Sequence, residues 1–304
     1  VPTRTLDSSP RILPLYARAA APMLPGASLL PFVPGGGGEI PDLDLKLEGV
    51  GADPAAVAAY AKVCGFALRD HLPPTYPHVL AFPLHMAVMA DGGFPFGAVG
   101  LVHVENRIEQ HRRVGLDEEL TIRVRPTHLK PHPKGRAFSL LTEVKVGREK
   151  VWESVSTMLR RGKGEEKAGA AKSFEPLPAD APSSAKWRLG GDLGRRYAAV
   201  SGDRNPIHMH SLTAKPLGFP GAIAHGMWTK ARCLAALDSR LPDAFAVDVR
   251  FRKPILLPGR VEFASAAEGE EIAFAVRDAG RQMPHLDGRV TPLEPKKAKT
   301  GRTK

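Results

Sequence analysis

Apolar and polar residues alternate through two long blocks of the chain, and each block follows stretches with helical spacing. Over 44–50 the alternation predicts a half-buried strand. Asp53-Pro54 then offers a helix N-cap and a proline at the first helical position, with Val57, Tyr60, Ala61 and Cys64 following at helical spacing. A loop carrying Pro73, Pro74 and Pro77 leads to a second predicted helix over 82–91, FPLHMAVMAD. Strands are expected near 100–110, 119–129, 137–148 and 150–160.

The same order then recurs. A helix over 193–200 precedes a turn at Asp203, another runs over 224–237, and strands follow near 246–252, 259–267, 271–277 and 282–290. YAKVCG at 60–65 matches YAAVSG at 197–202, and GLVHVENRI at 100–108 echoes FAVDVRFRK at 245–253, with Arg107 against Arg252. Echoes in the same order point to two copies of one domain rather than a solenoid. Each copy gives a long helix and an antiparallel meander whose apolar face needs that helix as cover, an α+β class of fold. The units are expected at 44–162 and 185–292. Around them lie an extended arm at 1–43 with one helical turn near 15–19, a glycine-, alanine- and charge-rich linker at 163–184, and a basic tail at 293–304.

Composition narrows the class. No run of about 18 apolar residues exists, so no membrane-spanning helix is expected. Pro10, Pro14, Pro22 and Arg18 interrupt the N-terminal stretch and argue against a secretory signal. Cys64 and Cys233 sit on apolar helical patterns as expected buried thiols, which fits a reducing cytoplasm. The net charge of +11 gathers partly in linker and tail, without the aromatic-basic interleaving of a nucleic-acid surface. It also suits an anionic, phosphate-bearing ligand such as coenzyme A.

The chemistry concentrates in 197–227, YAAVSGDRNPIHMHSLTAKPLGFPGAIAHGM. Pro206 fixes its own φ and biases Asn205 to extended geometry, so the chain leaves the helix in a stiff turn across which Asp203 and His208 can face each other. His225 and Gly226 follow at the head of an apolar run, with Trp228 on its core face. A carboxylate and an imidazole can share a water, a general acid–base arrangement worth about 10²–10⁴-fold. A glycine N–H in a first helical turn suits a developing oxyanion, because no side chain blocks it and the dipole is positive there. His208 and His210 form H-x-H, but no second carboxylate or cysteine cluster accompanies them, so no metal site is expected.

This stretch resembles the signature of the MaoC-like dehydratases, (R)-specific enoyl-CoA hydratases of hotdog fold. The likeness runs through Tyr197, Ser201, Gly202, Asp203, Asn205, Pro206, His208, Ala214, Gly218, Phe219, His225, Gly226 and Met227. The whole chain is similar to the double-hotdog members, in which two units form an intrachain pseudo-dimer. The resemblance implies reversible hydration of a trans-2-enoyl-CoA to an (R)-3-hydroxyacyl-CoA, without a cofactor. It makes Asp203 and His208 the water-holding pair and the Gly226 N–H the donor to the thioester oxygen. Asn205 is assigned to orienting His208 or the turn, while Phe219 and His225 fall on the substrate side. Arg252, Lys253 and Arg260, near strand ends, are candidates for a positive rim.

In the first unit, Phe66 stands at the place of Asp203, and His71 falls at the place of His208 by coincidence, without an acid partner. The resemblance to the double-hotdog members implies that such a degenerate unit widens the cavity to admit the acyl chain. Pro74, Pro77, Phe82, Met86 and Met89 are candidates for lining such a tunnel. The expected partner is an acyl-CoA or acyl-carrier-protein thioester, acted on by a monomeric pseudo-dimer or a homodimer. A hotdog thioesterase and a non-catalytic acyl-thioester binding protein are the alternatives.

Overall fold

In the computed structural model, residues 3–20, 38–97, 100–164 and 174–294 are described. Most of the glycine run at 35–38, part of the linker and nearly all of the basic tail lie outside the described residues.

The first half contains β2 (Leu45–Val50), α2 (Pro54–Cys64), α3 (Tyr76–Met89), β3 (Leu101–Gln110), β4 (Leu120–Pro126), the short β5 (Lys130–His132), β6 (Gly135–Val146) and β7 (Glu149–Arg161). Ahead of them, β1 (Arg4–Leu6) pairs in parallel with β2, and α1 (Ile12–Ala20) packs on α3. The second half contains β8 (Ala185–Leu189), α4 (Leu193–Ser201), α5 (Pro206–Met209), α6 (Ser211–Ala214), α7 (Gly226–Leu237), β9 (Phe245–Phe251), β10 (Gly259–Glu268), β11 (Glu271–Asp278) and β12 (Pro284–Pro292).

Among the described residues these strands make one twelve-stranded sheet in the order β1-β2-β4-β6-β7-β3-β9-β12-β11-β10-β8, with β5 attached to β6. The order reads the same outward from the centre in both directions. In each half the first strand of the meander pairs with its last, and the strand preceding the helices flanks the meander on its outer side, with β1 added beyond β2 in the first half. The halves join where β3 and β9 pair antiparallel, with Glu105 opposite Arg250 and Ile108 opposite Val247.

Local chemistry explains the matching helices. Asp53 caps α2 by accepting the Ala55 N–H at 3.0 Å, with Pro54 in the first turn. Both α2 and α4 end on a left-handed glycine, Gly65 at φ 84° and Gly202 at φ 76°, each donating its N–H to the carbonyl of the fourth residue before it. These two helices pack together, and Tyr60 and Tyr197 meet with ring centroids 6.0 Å apart.

The central helices are α3 and α7, both in the main apolar core with Leu84, Val88, Ala231 and Leu234 fully covered. The helix expected over 82–91 begins earlier, at Tyr76. Pro77 marks a first turn here, where a missing N–H costs nothing, rather than a loop. Lys230 on α7 is fully buried and reaches both halves, donating to Asn106 Oδ1 at 2.6 Å, the Asn106 carbonyl at 3.1 Å and the Val247 carbonyl at 3.0 Å. Beyond the linker's undescribed part, the chain returns across the second half: Arg277 donates to the Ala179 carbonyl at 2.6 Å and Arg250 to the Phe174 carbonyl at 2.6 Å.

Candidate active site

Both halves wall one cavity of about 1200 Å³. The second half contributes the corner after α4. Gly202 reverses the backbone, Asp203 follows, and Asn205 opens α5 by accepting the Ile207 N–H with its side-chain oxygen at 3.4 Å. His208 is carried on that single turn, its N–H donating to the Asn205 carbonyl at 3.0 Å. The side chain of Asn205 therefore serves the turn; its hydrogen bond is to the backbone and not to His208.

His208 is buried, and its Nδ1–H donates to the Ile223 carbonyl at 2.8 Å, which leaves Nε2 as the acceptor. Burial lowers its pKa, with Asp203 and the Ile223 carbonyl opposing, so the ring is neutral near pH 7. Burial raises the carboxyl pKa of Asp203, but His225, His208, a tyrosine hydroxyl and the Asn205 N–H outweigh it and hold the group below its ordinary value. That tyrosine is Tyr16 on α1, whose hydroxyl donates to Asp203 Oδ1 at 2.8 Å. Donor atoms of Asp203, His208 and His225 all lie within 4.8 Å of one another.

His225 lies immediately before α7, and its Nε2–H donates to the Asp203 carbonyl at 3.0 Å. Its ring stacks on His208, with centroids 3.7 Å apart and planes 25° from parallel. Burial and His208 push its pKa down to about 3, with Asp203 opposing. The three donors are close enough for a cation. Stacked imidazoles, however, direct their nitrogens side by side rather than toward one point, and His225 Nε2 is already engaged, which fits a tetrahedral metal poorly.

Gly226 is the first residue of α7, where helix geometry leaves the N–H without an intrahelical acceptor. Its missing side chain suits the packing of Phe251, because a Cβ would stand 3.0 Å from that ring and push it back. Phe219 lines the cavity, with the Arg161 guanidinium 5.3 Å from its ring centroid. Arg252 and Lys253 also line it; Arg252 donates to Asp287 Oδ2 at 2.6 Å.

Arg260 is a correction. It is exposed on β10 opposite Arg188 of the edge strand β8 and is absent from the cavity wall, because β10 lies toward the outer edge of the sheet, not at its centre. Of the tunnel candidates, Phe82 and Met89 line the cavity, whereas Pro74, Pro77 and Met86 do not. Met86 is buried in the core, and the Pro74 carbonyl accepts the Trp152 Nε1–H at 2.8 Å. His71 faces away, bonded to Asp70 Oδ1 at 2.9 Å in an exposed setting.

Sequence reasoning missed three histidines in the first half's wall, His78, His85 and His103. Burial pushes His78 down to about 4 and His103 to about 3, and drives His85 below its ordinary value. His78 and His85 are seven residues apart, hence on one helix face, a signal that was available in the sequence. Tyr16 was missed as well, and only its place on a short helical stretch hinted at order.

Two sheet-and-helix units joined edge to edge around one cavity, with an acid–imidazole corner in the second, define a double-hotdog enzyme. A family model for the MaoC like domain matches residues 185–286. The chain is 38% identical over 267 residues to 3-hydroxyacyl-thioester dehydratase X of Mycobacterium tuberculosis, covering 88% of this chain and 95% of that protein. It is also 39% identical over 70 residues to 3-hydroxybutyryl-CoA dehydratase of Methylorubrum extorquens, covering 22% of this chain and 45% of that one. The crystal structure of HtdX of Mycobacterium tuberculosis superposes with a TM-score of 0.74 at 37% identity, covering 82% of this chain and 100% of that one. The chain belongs to the MaoC-like dehydratase family and is a hydro-lyase. Among the described residues no helix is long and apolar enough to cross a membrane.

Proposed function

We propose that this protein hydrates a trans-2-enoyl thioester reversibly to an (R)-3-hydroxyacyl thioester, with Asp203 and His208 sharing the reacting water. The observation that carries this reading is a carboxylate and an imidazole with donor atoms within 4.8 Å, in a cavity wall beside the glycine that opens α7. Two hydrogen bonds of about 2.8 Å through one water span such a gap.

In hydration one member of the pair takes a proton from water as the oxygen bonds to the β-carbon. That same proton is then delivered to the α-carbon, so water is split across the double bond and the enzyme ends each turnover unchanged, and dehydration runs the same transfers backwards. Negative charge that builds on the thioester oxygen is met by the Gly226 N–H at the positive end of α7. No cofactor is called for, because the thioester already activates the α-carbon. Asn205 keeps the turn and His225 holds the Asp203 backbone. The acyl chain runs toward Phe82 and Met89, so the unit at 44–162 receives the tail while the unit at 185–292 does the chemistry. Arg252, Lys253 and Arg161 suit the phosphates of coenzyme A or of a carrier-protein arm. The names of the two dehydratase relatives support the thioester class, and two buried free thiols fit a cytoplasmic setting.

The test is crotonyl-CoA hydration followed by loss of enoyl absorbance. Asp203→Asn lowers kcat by about 10²–10⁴-fold; undiminished turnover in that variant ends the mechanism. Release of free thiol in place of hydration makes the protein a thioesterase, and tight binding without turnover makes it a carrier.

A further inference from the structure

The helix α1 belongs to neither sheet-and-helix unit, yet it reaches the acid–imidazole corner of the second half. Ile12 seats it there. An ideal Cβ on Gly202 would come within 2.6 Å of Ile12 Cδ1, so the glycine that ends α4 also makes room for the arriving helix. Tyr16 then spans the gap. Its hydroxyl donates to Asp203 Oδ1 at 2.8 Å and accepts the Arg204 N–H at 2.8 Å. The Asn205 N–H donates to the same carboxylate oxygen at 3.1 Å.

A carboxylate oxygen has two lone pairs, so these two donors fill Oδ1 and fix the rotation of the group. Oδ2 is the oxygen left for other partners, and it lies 3.8 Å from His225 Nε2. The rotation of the carboxylate is thus shared between the Asn205 N–H and the hydroxyl of a residue 187 positions away. Tyr16 itself stays protonated, since burial and the neighbouring carboxylate both raise its pKa far above neutrality. It can orient the acid without exchanging protons with substrate.

We propose that Tyr16 is a positioning residue for the hydro-lyase reaction, its hydroxyl clamping Asp203 Oδ1 so that Oδ2 is presented to the reacting water. This rests on the reading in which Asp203 holds that water. The clamp requires the N-terminal helix to be docked, so a segment outside both units completes the site.

The experiment is a double-mutant cycle on crotonyl-CoA hydration with Tyr16→Phe and Asp203→Asn. A hydrogen bond to a charged group is worth about ten- to a hundredfold, so Tyr16→Phe lowers kcat by that range while KM stays within about twofold. In the Asp203→Asn background the same change costs less than about twofold, because the carboxylate it served is gone. Ile12→Ala, which loosens the seat of the helix and leaves the hydroxyl intact, lowers kcat in the same direction. An equal loss from Tyr16→Phe in both backgrounds makes the tyrosine a mere packing element and overturns the proposal. So does unchanged kcat in Tyr16→Phe. Full activity of Asp203→Asn instead defeats the underlying reading, an outcome distinct from either.

Discussion

After α2 the first half reads Gly65-Phe66-Ala67-Leu68, and after α4 the second reads Gly202-Asp203-Arg204-Asn205-Pro206. Both chains reverse on a left-handed glycine and both then meet a histidine, His71 or His208. Beyond the glycine they part. Pro206 and the Asn205 cap wind the second chain into a helical turn that carries His208 inward to the Ile223 carbonyl. Without these residues, the first chain forms no helical turn, and His71 makes an isolated bridge to Gly115 with its ring on Asp70. The frame is thus duplicated while the chemistry is not, and a handful of residues after one glycine account for the difference. The first half spends its share of the cavity on side chains of another kind, Phe82, Met89 and the three buried histidines.

The sharpest way to break this comparison is to remove the matching histidines in turn. His208→Ala lowers kcat/KM for enoyl hydration by about 10²–10⁴-fold, because one of the two groups proposed to share the water is gone. His71→Ala, outside the cavity wall, changes it by less than about twofold. A large loss in the His71 variant would mean that the first half contributes to the chemistry.

The joint between the halves gives the next effect. Lys230 donates to two acceptors of Asn106 on β3 and to Val247 on β9, so one side-chain nitrogen ties the two halves of the sheet to the second central helix. Lys230→Met leaves those buried oxygens without their donor, which costs about 1–3 kcal/mol. Urea unfolding reads this as a lower midpoint at unchanged slope. A midpoint equal to that of the parent protein would mean that the sheets hold together without the lysine.

Much of this division was legible in the residues. Asp203, Asn205 and His208 lie in one short turn whose proline and cap dictate its shape, and Gly226 announces itself at the head of an apolar helix. The repeat was visible because the same tyrosine-bearing helix ends on the same kind of glycine twice. Tyr16 was beyond reach, since nothing local to α1 encodes a contact with Asp203. His78 is hidden in the sequence because the prolines around it read as a loop, whereas Pro77 stands in the first turn of a helix. Arg260 was misplaced because a strand end does not reveal which edge of a sheet the strand will occupy.

The last effect concerns the first half's histidines and is read through acid stability. A histidine in the unfolded chain titrates near 6.5, whereas burial holds His78 at about 4 in the folded protein. The stabilisation of the folded state by the neutral ring is complete above about pH 6.5. It drains away as pH falls, because the unfolded chain takes up a proton that the folded one refuses, and the loss ends near pH 4 when folded His78 titrates too. Each such proton contributes about 1.4 kcal/mol per pH unit within that window. His225, pushed down to about 3, adds to the same slope from the second half, so acid lability alone does not separate the halves. Thermal unfolding of His78→Gln across the window does: the variant has no imidazole to protonate there, and its midpoint falls with pH by one proton's share less than the parent. A slope identical to the parent's would show that His78 already reaches solvent when folded and that burial does not hold its ring neutral.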